Sequence, residues 1–219
     1  MSYPKVAEAF SLLDILIDGY SKQYEEGSVA PSLLRQHSLL VATCAEILAT
    51  KIHGMDSKKA YALGLLHDYG KVVNEKEHNL FHGLCGYKIM KELGYDEVAR
   101  ICLTHTFIDK DFKYEDYITY PKAELTACKK LLKEIEYDEY DKLVQMSDMM
   151  VTVVGFKTLK ERMIFIRDKY KLCSLTMKKK YRQVLKLKEH FDKLCGCDIY
   201  KLLGVCLLYT SPSPRDGAT

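Results

Sequence analysis

Residues 61–71 read YALGLLHDYGK and place two polar side chains, His67 and Asp68, at the end of an apolar stretch. Asp56 or Ser57 is suited to cap a helix that runs through this stretch and stops near the glycine of HDYGK. Polar groups that are buried when a helix packs are costly unless they have partners. The stretch therefore predicts a helix that carries a His–Asp pair into a core, where something must satisfy both side chains.

The same placement recurs along the chain. One buried histidine or aspartate of this kind is usually a hydrogen-bonded core residue, but six of them on five helices need a shared partner. A metal ion satisfies imidazoles and carboxylates together. The residues lie too far apart in sequence for a local finger or loop, so the site has to be assembled in a bundle core. The four further side chains on apolar helix faces are His37, His82, His105 and Asp148.

The predicted fold class is all-α, a single globular helical bundle with the metal site in its core. Apolar side chains recur with a period of 3.6 nearly everywhere, and 12 Gly and 5 Pro are too few for the turns of a β-sandwich or barrel. The β-branched run VTVV at 151–154 could form a strand, but no partner run is evident, so we predict helix. The predicted helices span about 4–18, 31–53, 57–70, 80–93, 96–106, 121–135, 138–154, 157–171, 175–195 and 198–205.

One domain is predicted over residues 1–205, with a core at about 30–155 and C-terminal helices at 157–205. No internal repeat or Pro/Gly-rich linker divides this range. Residues 206–219, CLLYTSPSPRDGAT, change character abruptly and contain two Ser-Pro steps. They resemble translated library adaptor at the ends of environmental sequences, so we predict a non-native or disordered tail and leave it out of functional reasoning.

Charge and composition exclude several functional classes. The net charge of +3 comes from 33 basic and 30 acidic residues, which is too balanced for a nucleic-acid footprint. No apolar run is long enough for a membrane span, and the N-terminus lacks a signal-peptide pattern. Eight cysteines scattered through apolar helices indicate free thiols in a reducing compartment. These features predict a cytoplasmic protein that does not bind membranes, and the oligomeric state stays open.

The order of these residues resembles a known signature. His37, the adjacent pair His67–Asp68, and Asp148 are similar to the H…HD…D pattern of the HD-domain superfamily of metal-dependent phosphohydrolases. His82 and His105 resemble the two extra histidines of its binuclear branch. More narrowly, HSLLVATCAEI, YALGLLHDYGK and HGLCGYKIMKELGYDEVARICLTH resemble a group of small bacterial HD proteins with no established substrate.

The resemblance implies roles for the six side chains. Asp68 would bridge two metal ions with one oxygen each. His37, His67 and Asp148 would hold one ion, and His82 and His105 the other. Imidazole and carboxylate ligands without a thiolate favour two divalent transition metal ions, Fe or Mn first, with Ni, Co or Zn possible, over Ca or Mg.

Two such ions about 3.5 to 4 Å apart activate a bridging water and bind a phosphoryl oxygen, which makes Asp68 a catalytic residue as well as a ligand. Phosphoryl transfer also needs a cation for the non-bridging oxygens. The second predicted catalytic residue is Lys71, since the resemblance places HDxxK at the phosphate-facing side. The alternative is a cation that stabilises a helix C-terminus. Arg100, Lys157 and Arg162 are further candidates among which the sequence does not choose.

Other candidate residues have plainer interpretations. Cys44, Cys85 and Cys102 share helix faces with predicted ligands but are expected to act as small buried hydrophobes. Tyr20, Tyr24, Glu25 and Glu26 form either a substrate loop or a connection. The remaining histidines are expected at the surface: His53, His78 and His190.

Three functions fit these residues. The first is a metal-dependent phosphohydrolase that cleaves a phosphate ester or anhydride, with a small phosphorylated substrate such as a nucleotide or dinucleotide. HDYGK with the later histidines resembles bacterial HD hydrolases that cut diadenosine tetraphosphate. The alternative is an HD-fold mixed-valent diiron oxygenase acting on a small polyol or phosphonate, since the same ligands occur in myo-inositol oxygenase. The third is a degenerate module that binds without turnover, although a complete ligand set argues against it.

Overall fold

A computed structural model describes residues 2–74, 81–117, 120–170 and 174–205, and the predicted tail at 206–219 lies outside these ranges. The described residues form ten α-helices, two short 3₁₀ turns and one small β-hairpin, which confirms the predicted all-α fold class. The helices are α1 (Val6–Ser21), α2 (Ala30–Ala49), α3 (Ser57–Leu66), α4 (His82–Glu92), α5 (Asp96–Thr104), α6 (Lys122–Glu134), α7 (Glu139–Met150), α8 (Leu159–Tyr170), α9 (Ser174–Cys195) and α10 (Ile199–Leu202).

Helix α2 lies at the centre of the bundle and packs against α1, α3 and α7. Its apolar stripe, which includes Val41, Cys44 and Leu48, is fully buried in the main hydrophobic core. Helices α4 and α5 pack against each other, and α9 packs against α7 and α8. A second, smaller core lies around Phe81 and Phe107, next to two of the predicted ligands. The site is thus surrounded by apolar packing.

Helix α3 ends earlier than the sequence predicts, and this end orients the His–Asp pair. Asp56 caps its start by accepting hydrogen bonds from the backbone N–H groups of Lys58 and Lys59. The helix stops at Leu66, and Asp68 has φ −98° and ψ 15°, in the bridge region of backbone conformations where active-site residues are often found. Consecutive residues of a continuous helix point about 100° apart. Leaving the helix allows both side chains of the pair to face the core.

The prediction of helix through the VTVV run is wrong. Helix α7 ends at Met150, and the chain turns back on itself as strands β1 (Val151–Thr152) and β2 (Gly155–Phe156). The two strands pair antiparallel, with Val151 opposite Phe156. The partner of β1 is the segment that follows it directly, and not a run elsewhere in the chain. Gly155, with φ +120°, has a conformation that favours glycine and permits the tight turn.

No helix in the described ranges combines the length and the apolarity that crossing a bilayer requires.

Candidate metal centre

The structure brings all six predicted ligands into one cluster at the centre of the bundle. Four of them are buried: His67, Asp68, His82 and His105. The other two are mostly buried and lie at the edge that opens to solvent. The elements that supply them are α2 for His37, the end of α3 for His67 and Asp68, the start of α4 for His82, the residue after α5 for His105, and α7 for Asp148.

The carboxylate of Asp68 lies between two pairs of histidines. Its Oδ2 atom is 3.4 Å from Nε2 of His67 and 3.8 Å from Nε2 of His37. Its Oδ1 atom is 3.4 Å from Nε2 of His82 and 3.6 Å from Nε2 of His105. Each carboxylate oxygen therefore faces a different pair of imidazole nitrogens.

Backbone hydrogen bonds set the tautomers of two of these histidines. Nδ1 of His67 lies 2.8 Å from the carbonyl oxygen of Gly64, and Nδ1 of His105 lies 3.2 Å from that of Ile101. A carbonyl only accepts, so Nδ1–H donates and the lone pair of the neutral ring is on Nε2. Nε2 of His82 lies 3.3 Å from Nε2 of His105. Two ring nitrogens at that distance are well suited to share a cation.

The donor atoms form two overlapping groups that could hold metal ions. In one group His37, His67 and Asp148 offer ligand atoms that all lie within 4.8 Å of one another, and in the other His67, Asp68 and His105 do so. Nε2 of His37 is also 3.2 Å from Oδ1 of Asp148. Imidazole nitrogens held by outer hydrogen bonds, together with ionised carboxylates, are the ligands of borderline divalent metals. The residues present thus fit the metal that the sequence predicts.

A family model described as the HD domain matches residues 34–149, just over half of the chain, and this range includes all six side chains. The chain belongs to the HD domain family. No solved structure gives a significant match to it. HD domains bind divalent metals and are commonly metal-dependent hydrolases, which agrees with the buried His/Asp groups of this one.

The protonation states of the HD cluster suit metal binding. Burial opposes ionisation of Asp68, but Lys71 and the neighbouring histidines outweigh it and hold its pKa well below the usual range. Burial also opposes ionisation of Asp148, where His37 and Arg162 outweigh it and again hold the pKa well below the usual range. Burial lowers the pKa of His67, and it lowers that of His105 to about 3. At neutral pH the carboxylates are therefore ionised and these two imidazoles are neutral.

These shifts predict that the metal-free protein loses stability in acid. A histidine in the unfolded chain has a pKa near 6.5, whereas His105 in the folded protein has a pKa of about 3. Below pH 6.5 the unfolded chain takes up a proton that the folded protein excludes, so the free energy of unfolding falls as the pH drops towards 3. We expect His105 to account for a loss of about 2.5 kcal/mol between pH 7 and pH 4.5.

Urea denaturation in the presence of a chelator at pH 7, 5.5 and 4.5 measures this loss. The variant His105→Gln serves as the comparison, because it removes the titrating group and should flatten the decline. Equal declines in both proteins would show that His105 is not the source.

A close backbone approach positions His82 on α4. A Cβ atom added to Gly70 would lie 1.8 Å from the carbonyl oxygen of His82 and 2.6 Å from the backbone nitrogen of Gly86. The 3₁₀ turn over Tyr69–Val72 therefore contacts α4 backbone to backbone, and no residue with a side chain fits at position 70 without a shift. The sequence predicts only a helix end at this glycine, whereas its contact sets the separation between Asp68 and His82.

Lys71 contacts the carboxylate of Asp68. Its Nζ atom donates to Oδ2 of Asp68 at 2.5 Å, and about a quarter of its side chain is exposed. Because α3 ends at Leu66, Lys71 is not in the last turn of that helix. Lys71 lies in the last turn of the 3₁₀ turn over Tyr69–Val72, and its Nζ atom contacts Asp68.

The structure separates the three further cationic candidates. Arg162, on α8, donates from its Nη2 atom to Oδ1 of Asp148 at 3.3 Å, and only 14% of its side chain is exposed. Its Nε–H is buried and has no hydrogen-bond partner among the residues that the structure describes. Arg100 instead pairs with Asp138 and Asp141. Lys157 follows the hairpin, where its backbone N–H donates to the carbonyl of Met150. Arg162 is thus the candidate that contacts a predicted ligand.

The cysteines near the cluster behave as buried thiols. Cys44 and Cys102 are fully buried, and burial raises the pKa of both, to about 12 for Cys44. The thiol of Cys102 donates to the carbonyl of Leu66 at 3.3 Å. Cys85 is partly buried. Neutral thiols are poor metal ligands, which agrees with their expected role as small hydrophobes.

Two polar contacts at the site were not anticipated from the sequence. The hydroxyl of Thr106 lies 3.1 Å from Nε2 of His105. The amide of Gln23, within the polar stretch between α1 and α2, donates to the carbonyl of Lys71 at 2.8 Å. Neither residue has a spacing signal, but Gln23 links that stretch to the turn that carries Lys71.

The remaining histidines lie away from the cluster where they are described. His53 is exposed, and His190 contacts Glu139 at 2.6 Å on the surface. His78 lies outside the described residues.

Proposed function

We propose that this HD domain is a metal-dependent phosphohydrolase that cleaves a phosphate ester or anhydride, with a nucleotide or dinucleotide as the substrate class. The observation that carries the proposal is the carboxylate of Asp68, whose two oxygens face two different pairs of imidazole nitrogens. That arrangement suits a carboxylate bridging two divalent ions. His37, His67 and Asp148 would hold one ion, and His82 and His105 the other.

When bound, two such ions supply a water of lowered pKa and a Lewis acid for a phosphoryl oxygen. The protein itself fixes the orientation of the ligand side chains. Neutral His67 and His105, each fixed by a backbone carbonyl, keep their lone pairs directed into the site. The apolar packing on both sides limits the access of bulk water, which strengthens electrostatic interactions inside the site.

Two cations of the chain favour an anionic substrate. Lys71 contacts Asp68 and Arg162 contacts Asp148, and both cationic side chains are partly exposed. Non-bridging phosphoryl oxygens need such partners as charge redistributes in the transition state. The Nε–H of Arg162, which has no hydrogen-bond partner within the described ranges, is a further donor suited to a phosphate oxygen. A neutral polyol would gain little from either cation.

Phosphate release tests the proposal. The purified protein, loaded with Mn²⁺ or Fe²⁺, is incubated with nucleoside mono-, di- and triphosphates and with a dinucleoside tetraphosphate, and matched samples contain excess chelator. We expect metal-dependent hydrolysis of at least one of these compounds and no hydrolysis in the chelated samples. Oxygen uptake with a small polyol or phosphonate, together with no hydrolysis across the panel, would instead indicate the diiron oxygenase.

A further inference from the structure

Helix α9 carries a basic groove that the candidate metal centre does not use. Its lining residues are Lys178, Lys179, Arg182, Gln183 and Lys186, and the open space beside them is about 220 Å³. The lining contains four cations, one amide and no carboxylate. The four cations are exposed, and the opposite face of the helix is buried in the core through Val184 and Leu187.

The spacing of the cations makes this face unfavourable without a ligand. Lys178, Arg182 and Lys186 follow one another at intervals of four residues and so lie in one row on the helix. Like charges at this spacing repel each other and destabilise a helix. Among the described residues, none of the three forms an ion pair. An anion bound along the row offsets this repulsion.

One residue holds the groove in place. Oδ2 of Asp109 accepts a hydrogen bond from Nε2 of Gln183 at 2.9 Å and lies 3.2 Å from Nζ of Lys179. Both side chains therefore have a fixed partner, which reduces the entropy lost on binding. Since Asp109 neutralises Lys179, the row of three unpaired cations remains for a ligand.

The groove lies beside the loop that follows His105, because Asp109 of that loop contacts Gln183 and Lys179. Asp109 is four residues after His105, so their Cα atoms are at most about 14 Å apart. Further along α9, His190 contacts Glu139 at the start of α7, whereas Asp148 is near the end of α7. The helix thus runs from the groove, beside the loop that follows His105, towards the opposite end of α7.

We propose that this groove binds the phosphate chain of an extended polyphosphate ligand whose other end reaches the metal centre. Its volume is below the roughly 300–1,000 Å³ of pockets that enclose whole small molecules, so it suits a short chain of phosphates. Arginine and lysine are the side chains that bind phosphate oxygens most strongly. That the ligand is a substrate rests on the proposed phosphohydrolase function, whereas the anion site itself does not.

A binding experiment tests the groove separately from catalysis. The full-length chain is stripped of metal with a chelator and dialysed, and inorganic tripolyphosphate is titrated into it by calorimetry at low salt. In the groove variant Lys178, Arg182 and Lys186 are each replaced by Gln. In the control variant the exposed residues Lys5, Lys51 and Lys133 are replaced by Gln, so that the net charge changes equally. We expect the affinity of the groove variant for tripolyphosphate to be at least about tenfold lower than that of the wild type. The control variant should bind tripolyphosphate as tightly as the wild type.

Further measurements complete the test. The groove variant lacks the repulsion among the three cations, so it should unfold at a temperature no lower than that of the wild type. Weak binding by this variant then cannot be attributed to misfolding. If the panel above yields hydrolysis, the groove variant should raise KM for a dinucleoside tetraphosphate and leave KM for a monophosphate unchanged. If no compound of the panel is hydrolysed but binding of tripolyphosphate still depends on the groove, the phosphohydrolase proposal is rejected and the anion site stands. Equal binding by both variants, or tighter groove-dependent binding of a DNA oligonucleotide than of tripolyphosphate, would overturn the proposed occupant.

Discussion

Replacing Asp68 by Asn is expected to lower kcat/KM for the hydrolysed substrate by at least about 10³-fold, because the metal-assisted step depends on several kcal/mol of charge stabilisation. The amide has the shape of the carboxylate but only one oxygen, so it cannot present an oxygen to both histidine pairs. It also lacks the negative charge that neighbours Lys71 and the histidines. Steady-state phosphate release measures the effect, and circular dichroism should show an unchanged helix content.

The matched control is Asp56→Asn, which makes the same chemical change at the cap of α3. Asparagine caps helices about as well as aspartate, so we expect nearly normal activity and stability. If Asp68→Asn retained wild-type activity while binding metal normally, the reacting centre would have to lie elsewhere in the chain.

The ligand positions could be predicted from the sequence because a polar residue stands out where apolar residues repeat along one face of a helix. His37 stands in a stripe with Val41, Cys44 and Leu48; the structure buries these three apolar side chains fully and His37 mostly. The pairing of these histidines across helices follows from the bundle itself, since ligands on several core faces can meet only in its interior.

The backbone conformation near the site could not be predicted as well, because its departures from a regular helix depend on tertiary contacts. The early end of α3 and the 3₁₀ turn that follows bring Gly70 against the backbone of α4. Glycine in a sequence indicates a helix end as readily as a close approach. The hairpin after α7 was missed for a related reason, since a strand of two residues has no periodicity to detect.

The choice among the three distal cations depended entirely on packing. Arg100 is held by Asp138 and by the buried Asp141, which also accepts a hydrogen bond from Thr104. Arg162 reaches Asp148 because the hairpin returns α8 towards α7. Nothing in the spacing of these residues distinguishes a structural ion pair from one beside the metal ligands.

Removal of a histidine from one side of Asp68 is expected to release one ion and leave the other. If two ions are bound, His82→Ala and His105→Ala should each reduce the metal content from close to two ions per chain to close to one. Both rings face Oδ1 of Asp68, whereas the rings on the Oδ2 side, His37 and His67, stay in place. Elemental analysis after extensive dialysis measures the ratio, and hydrolysis should fall by about 10²-fold or more as the second ion is lost.

The variant His190→Ala is the control, because His190 lies on the surface beside Glu139 and should leave the metal content unchanged. His37→Ala provides the complementary case, since it should weaken the ion on the Oδ2 side while His82 and His105 remain. A wild-type ratio close to one ion would contradict the binuclear assignment. An unchanged number of ions per chain in both His82→Ala and His105→Ala would also contradict it. In that case no ion would be bound between Oδ1 of Asp68 and these two rings.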